Sequence, residues 1–473
     1  MTTLSACDAA AQEPSRAALV LPSGTSSWPD LAIAAQRASA ALLARGVTEC
    51  SDASVAVVAE WSPDVVAVLL ALFELDVPVA LLHPRWTAAE RARVIAALRP
   101  ALVVDDGFHV GDARARPRAR AGGDRTLAIV FTSGSTGTPR GVALNRRALV
   151  ASAVASAANL GWRDDDAWLG CMPLAHVGGL SILLRCLLAR RTIVATPELR
   201  FDSANVAATI ERERVTLASL VPTMLDRLLA TSWQPPRTLR AVLLGGGPAS
   251  PSLLARARDR GVPVLRTYGL TEACSQIATD PAAGDPCAAG DGLAPVSGAE
   301  IRVVEGIIHV RGPMLAQAYV TPSAAPLPLT PDGFFVTGDR GALDARGRLR
   351  VLGRSDDVIV TGGENVDPVE VEQALEACPG VAAACVFAVP DATWGSVVCA
   401  AIVSPSDDSP TDGELLRALD ERLASFKRPR RIARTTELCT GSSGKLDRRA
   451  TAATVATALR PLGRGGQVTP DPQ

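Results

Sequence analysis

The sequence predicts an α/β protein: a large N-terminal domain of layered α/β subdomains, followed by a small, hinged α+β C-terminal domain. Three observations carry this. The chain has 473 residues, more than one ordinary hydrophobic core organises. Up to about residue 350, short β-type runs alternate with longer helical patterns, as stacked α/β layers require. After residue 300 hairpin-like strands enter, and from 357 onward a compact unit of helix, two strands and helix follows.

Taken in order, "MTTLSACDAAAQEPSR" lacks a basic start and an apolar block, so no signal peptide is expected. "SVAVVAE" reads as a strand before a helix over 62–75. The longest apolar run, "VVAVLLALFELDVPVALL", is interrupted by Glu74, Asp76 and Pro78; a helix followed by a strand explains it better than a membrane span. "ARARPRARAGGDR" at 113–125 has no interleaved aromatics and reads as a solvated connector, not a nucleic-acid patch. "TLASLVP" precedes the helix "TMLDRLLA", and "RAVLLGGG" precedes "SPSLLARARDRG". "EIRVVEGIIHVRGP" and "GRLRVLGRSD" read as hairpin strands. In the last unit "PVEVEQALEACPG" and "DGELLRALDERLASF" are helices around strands "AAACVFAVP" and "SVVCAAIVS". The expected boundaries are 1–354 and 355–459, with a disordered tail at 460–473.

Composition excludes some partners. A net charge of −1 gives no general attraction to nucleic acid or to a membrane surface. Ten cysteines without CxxC pairs read as reduced thiols of a cytoplasmic protein. Of 48 basic side chains only Lys427 and Lys445 are lysines. A lysine on this arginine-rich background is worth inspecting, because arginine cannot replace a compact ammonium at every site.

The segment "FTSGSTGTPRG", Phe131–Gly141, holds three glycines and five hydroxyl side chains directly after the apolar run "LAIV". Its backbone N–H groups and hydroxyls suit a phosphate. It is not a P-loop of the GxxxxGK[ST] kind, since no Lys-Ser or Lys-Thr follows Gly137 or Gly141. Further along come "LLGGGPAS", "TYGLTEACSQ", "FFVTGDRG", "VLGRSDDVIVTGGENVDPVEVE" and "TGSSGKLDRR". In this order the motifs resemble those of the acyl-adenylate-forming (AMP-binding) superfamily, and the resemblance covers the chain to about residue 450.

That resemblance implies ATP, Mg²⁺ and CoA as reactants and a carboxylic acid as the second small-molecule substrate. It places Thr132, Ser133, Gly134, Ser135, Thr136, Gly137 and Arg140 in the phosphate loop, with Thr136 also beside the metal. Gly245, Gly246 and Gly247 form the turn against adenine and the acyl group. Thr267, Tyr268, Gly269, Thr271 and Glu272 supply an adenine-stacking ring, an α-phosphate contact and a metal ligand. Asp339 and Arg354 hold the ribose, Asp356 is the hinge, and Gly362 and Gly363 line the CoA tunnel. Lys445 becomes the catalytic lysine, and Lys427 is a lesser candidate for a CoA phosphate. Two positions depart from the pattern: Arg140 where lysine is usual, and Ala318 where glycine is usual.

"MPLAHVGGLSILLRCLLARR" bears on the acid. His176 falls where the family has a gate beside the acyl pocket; a buried structural histidine is the rival reading. Arg185 lies inside an apolar helical run, so its charge needs a partner: an internal acid, or a second carboxylate brought by the substrate. With "HVGGLSILLR", "YGLTEACSQI" and "TGGENVDP", the chain resembles the 2-succinylbenzoate:CoA ligase branch of the family, which serves menaquinone biosynthesis. Another aromatic acid, or a separate carrier protein in place of CoA, remains open at this point, as does a homodimer.

Overall fold

The computed structural model describes residues 3–105, 108–117, 123–132, 139–198, 200–281, 292–321, 323–361, 364–391, 394–404, 409–441 and 444–463. Two large sheets and a small antiparallel one build the N-terminal part. One sheet has nine strands, with Val264–Leu270, Ala241–Leu244, Leu217–Leu220, Ala167–Gly170 and Thr192–Ala195 adjacent and parallel at its centre. The other has seven, with Leu102–Val104, Val55–Val58, Val79–Leu82 and Thr126–Thr132 parallel. Their strands are short Val/Leu/Ile/Ala runs buried on both faces, which is what a parallel sheet covered by helices selects. A four-stranded antiparallel sheet, Glu300–Val304, Ile307–Arg311, Phe335–Leu343 and Leu349–Arg354, carries the chain to the hinge.

The apolar run at 65–82 is the helix Pro63–Leu75 followed by the strand Val79–Leu82. Ser62 caps the helix by accepting from Val65 N–H, Pro63 opens it, and Asp76 ends it at φ +58°. Every residue from Val66 to Leu75 is buried, Glu74 included. The Glu74 carboxylate is satisfied by the start of a helix that the sequence reading missed, Ala6–Gln12: Ser5 Oγ donates at 2.9 Å and Ala6 N–H at 2.8 Å. No helix among the described residues is long and apolar enough to cross a membrane.

Hydrophobic packing divides between Leu349 and Ile359. One cluster gathers residues from Leu4 to Leu349, while separate clusters gather Ile359 to Ile432 and Cys385 to Val455. The latter pack helices Pro368–Glu376, Asp412–Asp420 and Arg448–Val455 against strands Ala383–Asp391, Gly395–Val403 and Arg431–Thr435. Between the two regions lies a single 3₁₀ turn, Ser355–Asp357.

Two expectations need correction. Arg125, assigned to the solvated connector, instead pairs with Asp52 at 2.9 Å and Asp76 at 3.3 Å, where the buried Arg146 also binds Asp76 at 3.0 Å. A buried carboxylate between two guanidiniums fixes the connector's end in place. The tail also starts later than expected. Arg460–Pro461 forms a strand against Arg431–Thr435, and Arg460 pairs bidentately with Asp412. The rest of the tail, 464–473, lies outside the described residues.

Candidate active site

The site forms where the carboxyl ends of parallel strands from both large sheets converge, the usual ligand position in such sheets. From the nine-stranded sheet, Leu244 leads into Gly245–Gly247, Leu220 into Thr223, Leu270 into Thr271 and Glu272, and Gly170 into the turn bearing His176. From the seven-stranded sheet, Thr132 ends one strand, Arg140 begins the next, and Leu82 precedes His83. Ser133, Gly134, Ser135, Thr136 and Gly137 lie outside the described residues, as do Gly362 and Gly363.

Close backbone approach explains the glycines here. A Cβ on Gly245 would stand 2.3 Å from Thr267 Oγ1, and one on Gly269 would stand 1.7 Å from the Ser275 carbonyl oxygen. Gly246 has φ +80°, and a Cβ there would meet Lys445 Cε at 3.1 Å. Gly247 is free of such crowding, with its nearest neighbour at 3.8 Å.

Asp339 is a hub of polar contacts. Tyr268 Oη donates to it at 2.7 Å, and the Arg354 guanidinium stands 3.5 Å away. Burial, and then the Asp339 charge, push the Tyr268 phenol well above its ordinary pKa, so it stays protonated and can donate to Asp339. Arg354 also reaches Asp356 at 3.2 Å, tying the nucleotide end of the site to the hinge turn. Glu272, half-buried, accepts from Tyr319 Oη at 3.0 Å, and the Arg140 guanidinium lies 4.8 Å over the Tyr319 ring. No cluster of three His, Cys, Asp or Glu side chains suited to a metal occurs among the described residues. A hard cation here therefore rests on Glu272 plus oxygens brought by a nucleotide, a donor set that Mg²⁺ accepts.

Lys445 sits on a tight turn docked to the N-terminal part. Gly441 N–H donates to Lys445 O at 2.8 Å, Gly444 takes φ +75°, and Thr223 Oγ1 donates to Gly444 O at 2.5 Å. The Lys445 side chain has solvent at one side and protein around the rest. Desolvation lowers its ammonium pKa, Asp339 and Glu272 pull it back up, and Arg354 lowers it further. Thus the lysine, the ribose-type carboxylate and the candidate metal ligand share one field. A cavity of about 280 Å³ opens beside this turn, lined among others by Trp61, His83, Arg85, Thr223, Gly441 and Gly444.

The helix Val177–Ala189 begins at His176 and carries Arg185 into the core. Arg185 is 3% exposed. Its neighbours are Ser275 Oγ at 3.5 Å and the Trp168 ring at 5.4 Å, while its Nε is buried with no partner. No carboxylate among the described residues pairs with it. Burial pushes its pKa down to about 10, a strong sign of desolvated charge. Lys427, by contrast, has an internal partner: Glu370 accepts from it through both oxygens at 2.7 Å. Its charge is neutralised within the C-terminal unit, so it is not a free phosphate anchor. Ala318, the departure from glycine, fits a half-buried strand position opposite Ala143.

Sequence reasoning missed Tyr319, His83, Thr223 and Ser275. Rarity would have found the first two: the chain has only two tyrosines and four histidines. Both tyrosines stand in this site.

A loop-and-strand scaffold of this kind, with lysine, glutamate, aspartate and tyrosine set around one cleft, defines a nucleotide-dependent enzyme. The AMP-binding enzyme family matches residues 7–120 and 108–320, and the AMP-binding enzyme C-terminal domain matches residues 370–445. The chain belongs to the AMP-binding enzyme family. It is 38% identical over 416 residues to the 2-succinylbenzoate–CoA ligase of Bacillus licheniformis, across 81% of this chain and 86% of that one. Its structure is similar to o-succinylbenzoate CoA synthetase (MenE) from Bacillus subtilis in complex with the acyl-adenylate intermediate OSB-AMP. That match has a TM-score of 0.83 and 32% identity, over 95% of this chain and 97% of that one. A double mutant of the same synthetase bound to its product analogue OSB-NCoA matches at a TM-score of 0.70 and 32% identity, over 96% and 98%.

Proposed function

We propose that this protein is an AMP-forming acid–CoA ligase acting on 2-succinylbenzoate, in menaquinone biosynthesis. The observation that carries the choice of acid is Arg185: a buried guanidinium with no carboxylate partner among the described residues, on the helix that starts at His176. A dicarboxylate supplies what it lacks, one carboxylate for Arg185 and one for activation. Similarity to ligases for this acid supports the same reading.

The first half-reaction joins the free carboxylate oxygen to the α-phosphorus of ATP, and pyrophosphate leaves with the P–O bonding electrons. Lys445 meets the negative charge gathering on the carboxylate and phosphate oxygens. Thr271 and the glycine turn 245–247 contact the nucleotide, Tyr268 lies beside adenine, and Asp339 with Arg354 orients the ribose. Glu272, with phosphate oxygens of the nucleotide, would hold Mg²⁺, which would supply neutralisation of the leaving charge. In the second half-reaction the CoA sulfur bonds to the acyl carbon, its proton is lost to solvent, and AMP departs with the C–O electrons. The domains divide near Arg354, and the C-terminal one turns about Asp356 between the two steps. The better superposition on the adenylate-bound relative is consistent with the first-step arrangement.

The test is AMP release by the purified protein with MgATP and CoA across 2-succinylbenzoate, benzoate, anthranilate, a cinnamate and a medium-chain fatty acid. A strong preference for 2-succinylbenzoate is expected. Preference for a monocarboxylate would retain the chemistry and refute the acid.

A further inference from the structure

Two histidines face each other across the seam between the large sheets, and one hydrogen bond is missing from each. His83 follows the strand Val79–Leu82 and is 2% exposed. Its Nδ1 accepts the Arg85 backbone N–H at 3.0 Å. A neutral imidazole has one donor and one acceptor, so the proton of His83 is on Nε2. That Nε2 is buried and has no partner among the described residues. The His176 ring lies 5.0 Å away between centroids, tilted by 50°, and its Nε2 is buried and unpaired as well.

The surroundings keep both rings neutral. Burial acts first, and the charges facing His83 are Arg85 and Glu90, with Arg85 lowering its pKa and Glu90 raising it. Facing His176 are His83, Lys445 and Arg85, all of which lower its pKa. His83 Nε2 thus has only a donor to offer, and the neighbouring ring carries a buried nitrogen, His176 Nε2, without a partner among the described residues. We propose that His83 is a positioning residue: its Nε2–H donates to His176 Nε2, directly or through one water, and so fixes His176 as the Nδ1–H tautomer. His176 then presents a fixed Nδ1–H donor, with Lys445 among the charges that act on its ring. His83 also lines the 280 Å³ cavity.

The kinetic part of this inference rests on the ligase reading; the tautomer part does not. With four histidines in the chain, ¹⁵N-histidine labelling and long-range ¹H–¹⁵N correlation resolve each ring, assigned by single substitutions. His176 is expected as the Nδ1–H tautomer at pH 7. His83→Asn retains an acceptor for the Arg85 N–H but lacks the ε donor, and is expected to turn His176 to the Nε2–H tautomer. His83→Gln places an amide N–H at the ε position and is expected to preserve the wild-type tautomer. In acid-dependent AMP release, His83→Asn is expected to lower kcat/KM for the acid about tenfold with the KM for ATP unchanged, and His83→Gln to stay within about threefold. A wild-type Nε2–H tautomer at His176, or no change of tautomer or kcat/KM in His83→Asn, overturns the proposal. If no acid supports AMP release, the ligase reading fails while the spectra still decide the tautomer.

Discussion

At the residue scale, Arg185 and Lys445 show opposite uses of a cation. Arg185 is held in the core without a counter-charge among the described residues, a state that destabilises a free protein by several kcal/mol in general. Arg185→Met is therefore expected to stabilise the unliganded enzyme by about 1–4 kcal/mol, read as a shift of the urea midpoint. The same variant should raise the KM for a dicarboxylic acid far more than for a monocarboxylic one. Loss of stability together with equal kinetic losses would mean that Arg185 pairs internally. Lys445 keeps its solvent access and acts by position. Lys445→Ala is expected to nearly abolish adenylate formation, measured by pyrophosphate release, while thioester formation from supplied acyl-AMP continues. Equal loss in both half-reactions would refute its role. Rare residue types made Lys445 legible in the sequence, and the same argument applied to tyrosine and histidine would have reached Tyr319 and His83.

At the element scale, the strand pair Val264–Leu270 and Ser275–Thr279 positions Tyr268, Gly269 and Ser275. Its register slips at Tyr268/Gly269, a bulge that re-aims side chains out of the alternating pattern. Gly269 permits the slip because the Ser275 carbonyl occupies the space a Cβ would need. Gly269→Ala is expected to destabilise the fold by about 3 kcal/mol, since the clash is with backbone that has no rotamer to change, and urea unfolding measures it. A loss below about 0.5 kcal/mol would show that the hairpin relaxes freely. Helix and strand identities here were legible from periodicity: the helices at 222–229 and 251–259 stand where apolar spacing and capping Ser or Pro put them. The short helix Ala6–Gln12 was not, because its order comes from Glu74, sixty-eight residues away along the chain from Ala6.

At the scale of the whole molecule, the two large sheets meet at one seam, and the seam sets a pH dependence. Burial lowers the pKa of His83 from 6.5 to about 4 and that of His176 to about 3. Both rings are neutral when folded and protonate near pH 6.5 when unfolded. Their share of stability is thus complete above pH 6.5 and falls as pH drops toward 4. Between pH 7 and pH 5 each ring removes about 2 kcal/mol, so His83→Asn should show a shallower loss than wild type by about that amount. Identical urea midpoints across that range for the two proteins would place His83 in contact with water. The sequence by itself determined the α/β class, the order of the motifs and the chemical types at the site, because periodicity, glycine spacing and residue rarity are local properties of the chain. Only the tertiary structure decided that Arg185 lacks an internal acid among the described residues, that Lys427 has one, that Tyr319 holds Glu272, and that His83 stands against His176. Each of these depends on which strand ends meet across the two sheets, and burial and pairing exist only once that packing has formed.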